Sequence, residues 1–294
     1  MRDLDQKIAK LRERKGARRR DEVPQEVLRG LSEGWLETVN LVEWLALDAR
    51  KLLETTLGQV GIKPHRTETP ALIQSLPELG VVKRDAAVGR HLADLLLSSK
   101  KGEAQFETLA SHVSDTVRAW CAQVIAARAD LNLKDRLTAL RRFAADPHFG
   151  VRECAWMAFR PHLARELNDG LKWLEPWAKD KDANVRRFAI EVTRPRGVWC
   201  EHLTELKSNP ERGLPLLEMT RADPVRYVQL SVANWLNDAS KSHPEWVGEV
   251  CKRWRIEKTN EHTAWIIHHA ERTLRKEKSQ GTMRSRKKAP RRKT

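Results

Sequence analysis

A short polar turn, then Val-Arg or a loose variant of it, then an amphipathic stretch recurs four times along this 294-residue chain, and no other feature restricts its fold so sharply. The copies read SDTVRAWCAQVIAAR, DPHFGVRECAWMAFRPHL, DANVRRFAIEVTRPRG and, more loosely, DPVRYVQLSVANWLNDASK. Their registering valines, Val117, Val151, Val185 and Val228, lie 34, 34 and 43 residues apart. Periods of this length with two helices per unit belong to α-solenoids of the HEAT and armadillo kind, whose units bury their apolar faces only against one another. Gly and Pro are sparse and clustered in this region, apolar residues recur at three and four, and no sustained alternation marks a strand. The expectation is an all-α chain of stacked helix pairs, a HEAT/armadillo-like α-solenoid whose concave face is lined by the second helix of each pair. Residues 23–110 hold further helical segments suited to capping the stack.

The formal charge of +15 invites a polyanionic partner, but most of it lies in the ends. Residues 275–294 carry ten basic side chains and one acidic, and residues 1–22 carry nine basic ones. The expected organisation is therefore a basic N-terminal segment over 1–22, a repeat domain over 23–274, and a basic tail over 275–294 with too little apolar content to fold alone. Such tails attract any polyanion and by themselves select no partner.

Function classes are narrowed by what the sequence lacks. The four cysteines, Cys121, Cys154, Cys200 and Cys251, form no CxxC pair, and no stretch approaches the roughly 20 apolar residues of a bilayer span. A reducing cytoplasm is expected, with no membrane partner and no signal segment. His268 and His269 adjoin and point apart on a helix, and Cys200 and His202 lack companions, so no metal site is expected. Nothing resembles a Gly-rich phosphate loop or a Ser/His/Asp arrangement, and no nucleotide cofactor is expected either.

A helix turns about 100° per residue, so each copy divides into a core stripe and an opposite face. In the second copy Val151, Cys154, Ala155, Ala158 and Phe159 form the stripe, leaving Arg152, Glu153, Trp156 and Arg160 on the far side. In the third, Val185, Phe188, Ala189 and Val192 face in while Arg187, Glu191 and Arg194 align opposite. In the fourth, Val228, Val232, Trp235, Leu236 and Ala239 are core positions, with Asn234, Asn237, Asp238 and Lys241 turned away. Pro195 and Gly197 should stop the third helix in a turn that holds Arg196 and sets Trp199 at the rim. Three copies thus offer carboxylates, Glu153, Glu191 and Asp238, amid Arg, Asn and Lys. Solvated i,i+4 pairs, worth tenths of a kcal/mol, are one reading of this pattern, and a functional surface is the other.

The segments VRECAWMAFRPHL, NVRRFAIEVTRPRGVWC and YVQLSVANWLNDASKSHPEWV resemble the HEAT-like-repeat DNA alkylation repair glycosylases, within them the AlkC branch, over roughly residues 20–275. The AlkD branch shares the architecture and resembles the fourth copy loosely. The resemblance implies hydrolysis of the N-glycosidic bond of cationic alkylated bases, chiefly N3-methyladenine, in double-stranded DNA, by a nucleoid-associated monomer without a cofactor. It places Asp238 as the lead catalytic carboxylate, Glu153 and Glu191 as further acids, and Trp156 and Trp199 as an aromatic wall. DNA contacts are expected from Arg152, Arg187, Arg194, Arg196, Asn234 and Lys241. Some AlkC-type proteins append a β-sandwich that contacts DNA; none is expected here, and that contact is expected to be either absent or replaced by Lys and Arg of 284–293. The competing reading is a HEAT-repeat scaffold that binds nucleic acid or protein without chemistry.

Overall fold

Val117, Val151, Val185 and Val228 are each the third residue of an α-helix and each is completely buried. These facts come from a computed structural model that describes residues 8–63, 68–257 and 260–276. Among the described residues the regular structure is entirely helical. In chain order the α-helices are α1 (Gln25–Ser32), α2 (Leu41–Ala46), α3 (Ala49–Gln59), α4 (Thr69–Ser75), α5 (Val81–Leu97), α6 (Gly102–Ala110), α7 (Asp115–Ala127), α8 (Leu133–Ala144), α9 (Phe149–Arg165), α10 (Leu167–Ala178), α11 (Ala183–Glu191), α12 (Thr204–Ser208), α13 (Leu214–Thr220), α14 (Arg226–Ser240), α15 (Pro244–Ile256) and α16 (Glu261–Ala270). No helix among the described residues is long and apolar enough to cross a membrane.

The repeated turn signal has a definite structural meaning. Residue Asp146 accepts the N–H of His148 at 2.8 Å, Asp180 that of Asp182 at 2.8 Å, and Asp223 that of Val225 at 2.9 Å. Each is a local Asx turn that bends the chain into the following helix. The arginine after the valine then ties this turn down. Arg118 Nη1 donates to the carbonyls of His112 and Val113, Arg152 Nη1 to those of Asp146 and Pro147, and Arg186 Nη1 to those of Asp180 and Lys181, all at 2.7–3.1 Å. In the fourth copy Gln229 takes the place of that arginine and donates to the carbonyl of Asp223 at 2.7 Å.

Two of these arginines also reach forward to the next turn. Arg118 pairs with Asp146 through Nε and Nη2 at 2.8 and 3.1 Å, and Arg186 pairs with Asp223 at 2.5 and 3.1 Å. Asp146 and Asp223 are buried. Removing one partner strands a charge in a low-dielectric site, so Asp223→Ala should lower unfolding stability by about 3 kcal/mol. The check is the thermal unfolding midpoint, with an exposed carboxylate such as Glu261→Ala as a control expected to change it little.

The described residues divide into two units between His162 and Leu163, a point inside α9. In the first unit α5 packs lengthwise on α7. Thr38 donates through its amide and hydroxyl to buried Asp115 at 2.9 and 2.7 Å, joining the N-terminal helices to the start of α7. Arg14, within the basic segment, pairs with buried Glu43 at 2.5 Å. In the second unit α11, α14 and α16 lie in sequence, with α10, α13 and α15 packed beside them. Phe188, Trp235 and Trp254 anchor its core, and the Trp177 ring meets Phe188 at 4.9 Å between centroids. A Cβ on Gly213 would collide with the Trp235 ring, so only glycine lets that turn approach. Most of the expected tail, residues 277–294 including 284–293, lies outside the described residues.

Candidate active site

Helix α11 ends at Glu191 because Pro195 follows closely, and the residue before a proline is held away from helical geometry. That break carries Arg194 out of the helical path toward α14. On α14, Ser231, Asn234 and Asp238, with Lys241 at the C-cap just beyond it, share one face at spacings of three and four. The second unit thereby gathers two carboxylates around one guanidinium. Arg194 Nη1 donates to Glu191 Oε1 at 2.6 Å, while its Nε and Nη2 both donate to Asp238 Oδ2 at 2.9 and 2.7 Å. Lys241 Nζ donates to Asp238 Oδ1 at 3.0 Å, and Ser231 Oγ donates to Glu191 Oε2 at 2.6 Å. Both carboxylates are only 4% exposed.

Charge balance explains how two anions persist there. Burial alone would raise the Glu191 carboxyl, but Arg187, Arg194 and the Ser231 hydroxyl overcome it and hold its pKa below the usual value. Arg187 stands 3.7 Å from Glu191 Oε2, and its guanidinium carbon lies 4.3 Å from the centre of the Tyr227 ring. Arg194 is itself raised: burial would lower it, yet Glu191 and Asp238 dominate.

The other expected residues of this unit surround the pair. Arg196 Nε donates to the Asp238 carbonyl at 3.1 Å and Nη2 to Ser242 Oγ at 2.6 Å, placing a cation at the C-terminal end of α14, where the helix dipole favours it. Trp199 and Val198 are exposed on the turn that Leu203 N closes on the Pro195 carbonyl at 3.1 Å. Asn234 accepts from Arg272 Nη2 at 2.8 Å.

Glu153, Trp156 and Arg152 belong to the first unit. Trp156 Nε1 donates to Glu153 Oε2 at 2.8 Å. Periodicity turns Trp156 away from the core, yet it is buried, because residues 154–160 of α9 are covered on every side. Arg152 engages the turn carbonyls described above. Three residues near the carboxylate pair escape the sequence reading: Ser231, Tyr227 and Arg272. Ser231 has a signal, since the Asn234–Asp238 stripe carried back one turn reaches it. Tyr227 and Arg272 gain their places only from packing between helices.

Thiol chemistry has little footing. Burial pushes Cys121 and Cys154 well above the ordinary thiol value and Cys251 up to about 12, so these remain neutral thiols at physiological pH.

Residues 158–274 match the family described as DNA alkylation repair enzyme. Over 119 residues the chain is 44% identical to the uncharacterized protein YhaZ of Bacillus subtilis (strain 168), a match covering 40% of this chain and 33% of that protein. Among solved structures, the alkylpurine DNA glycosylase AlkC of Pseudomonas fluorescens, bound to DNA containing an abasic site analog, is similar at a TM-score of 0.63 and 27% identity, over 88% of this chain and 65% of that one. AlkD2 from Streptococcus mutans shares the fold at a TM-score of 0.53 and 19% identity, over 70% of this chain and 98% of that one. The chain thus spans a third of the curated relative and just under two thirds of the AlkC structure. Residues 158–274, which hold Glu191, Arg194 and Asp238, are thus similar to the DNA alkylation repair enzyme family, and the helical fold is that of the AlkC and AlkD2 structures.

Proposed function

We propose that this protein is a DNA glycosylase that hydrolyses the N-glycosidic bond of cationic alkylated purines, N3-methyladenine foremost, in double-stranded DNA. The observation that carries this reading is the pair of buried carboxylates, Glu191 and Asp238, bridged by Arg194 inside the matched family region. An alkylated purine already bears positive charge, so it leaves as a neutral base and needs little acid catalysis. The charge passes to deoxyribose, and an anion held beside C1′ stabilises that oxocarbenium-like transition state. Water then adds at C1′ and gives its proton to a carboxylate acting as general base.

Asp238 is assigned the lead role and Glu191 the supporting one, with Glu153 as a third acid and Trp156 and Trp199 as the aromatic wall. Arg187 and Arg194 engage the carboxylates, which assigns them to holding those anions in register. Lys241, Arg196 and Asn234 remain the residues for DNA phosphates, and Arg152 is the weakest of the expected contacts because its Nη1 ties the preceding turn. The protein should release methylated bases from methylating-agent-treated duplex DNA at neutral pH, in EDTA and without added cofactor. Chromatography of the released bases checks this; tight DNA binding with no release would favour the non-catalytic scaffold.

A further inference from the structure

Outward of Asp238, α14 and the C-terminal helices run side by side and present a second surface. On α14, Arg226, Leu230 and Asn234 fall at i, i+4 and i+8; beyond them Trp265 and His269 of α16 and Arg272, in the helical segment that follows it, fall at i, i+4 and i+7. The two rows touch. The Arg226 guanidinium carbon lies 3.7 Å from the centre of the Trp265 ring, and the His269 ring stacks on Trp265 at 3.6 Å between centroids. Arg272 Nη1 donates to the His269 carbonyl at 2.8 Å and Nη2 to Asn234 Oδ1 at 2.8 Å. Arg226 is exposed and Leu230 is 40% exposed. On α14 Asn234 lies one turn before Asp238, and Arg272 is near enough to feel the Asp238–Arg194 pair: burial lowers its guanidinium, Asp238 opposes that shift and Arg194 adds to it.

Neither row contains an acid before Asp238 is reached, and the neighbouring Glu271 is paired with Arg255 at 2.6 Å. Each guanidinium is pre-positioned, Arg226 by the Trp265 face and Arg272 by Asn234 and a carbonyl, which reduces the ordering cost of gripping an anion. From Arg226 to Asn234 is about 12 Å along the helix axis. A nucleic-acid strand presents about three phosphates over that length.

We propose that these two rows form a backbone track for one DNA strand, its phosphates lying along Arg272 and Arg226 and leading the target nucleotide to the Glu191–Asp238 pair. This rests on the glycosylase reading for the identity of the partner as DNA. The stacked Trp265–His269 rings serve as the platform that fixes Arg226.

The test uses the full-length protein and a duplex containing an abasic-site analogue, with affinity measured by fluorescence anisotropy between about 50 and 200 mM salt. Arg226→Gln should weaken binding several-fold and reduce the slope of log affinity against log salt by about 1. Leu230→Lys, which adds a cation on the same row without disturbing the core, should tighten binding and steepen the slope by about 1. Slopes that stay at the wild-type value in both variants overturn the track even if the wild type excises bases, as does a wild type that binds no duplex. Slopes that move as expected while the wild type releases no base would sustain the track and remove the glycosylase reading instead.

Discussion

Asp238→Asn should retain duplex affinity within about twofold yet release methylated base about 10²–10³ times more slowly, the loss typical of deleting one preorganised charge from a transition-state site. The substitution keeps the shape of the side chain, and its amide oxygen can still accept from Arg194 or Lys241. What disappears is the negative charge that the proposed mechanism sets against the sugar cation. Single-turnover release from a methylated duplex, with binding measured in parallel, separates the two effects. Glu191→Gln should give a smaller defect, because it leaves the charge of Asp238, the carboxylate assigned the lead role, in place beside Arg194. Wild-type release by Asp238→Asn would transfer the lead role to Glu191 or Glu153.

Arg194→Met should cost about 3–5 kcal/mol of stability at neutral pH, since it leaves two buried carboxylates without the cation they share. The cost should depend on pH in a particular direction. In the wild type the folded-state pKa of Glu191 lies below its ordinary value of 4.5, so its contribution is complete above that value and is lost as pH falls through the folded-state pKa. Removing Arg194 removes one of the charges that hold this pKa down. The gap between wild type and variant should therefore be widest near pH 7 and narrow below about pH 4.5 as the carboxyl protonates. Urea unfolding of both proteins at pH 7 and pH 4 measures it; an equal gap at both values would make Arg194 a packing residue alone. Arg194→Lys should recover only part of the loss, because an ammonium cannot span both acids with the guanidinium fork.

Much of this architecture is written in the sequence, since Asp-turn, valine and arginine recur together and the physics of each is local. An Asx turn, a buried β-branched side chain and a guanidinium within reach of its own preceding turn all act inside one repeat. The carboxylate pair is half legible: Glu191 and Asp238 fall on predictable stripes, but their convergence requires knowing where the chain goes after Pro195. Arg194 shows why residue type alone misleads. A basic residue beside a groove is read as a phosphate ligand, whereas here its neighbours are two acids. Trp156 and Asn237 show the limit of a single-helix period, which reports the main apolar stripe and says nothing of what covers the opposite side. The Arg226–Trp265 contact joins residues 39 positions apart through helix packing, and no spacing rule announces it.

The hook that joins one turn to the next also bears on how a chain of this kind could lengthen. A module that runs from Asx-turn aspartate to Val-Arg brings both halves of its joint with it: the acid receives the preceding module's arginine, as Asp146 receives Arg118 and Asp223 receives Arg186. A duplicated module inserted in register would find a partner on each side without new mutations, so copying costs little in compatibility. In the fourth copy Gln229 keeps the backward tie to its own turn but carries no charge to extend forward. That replacement of arginine by glutamine leaves the Val228 copy without the charged half of the joint that Arg118 and Arg186 supply.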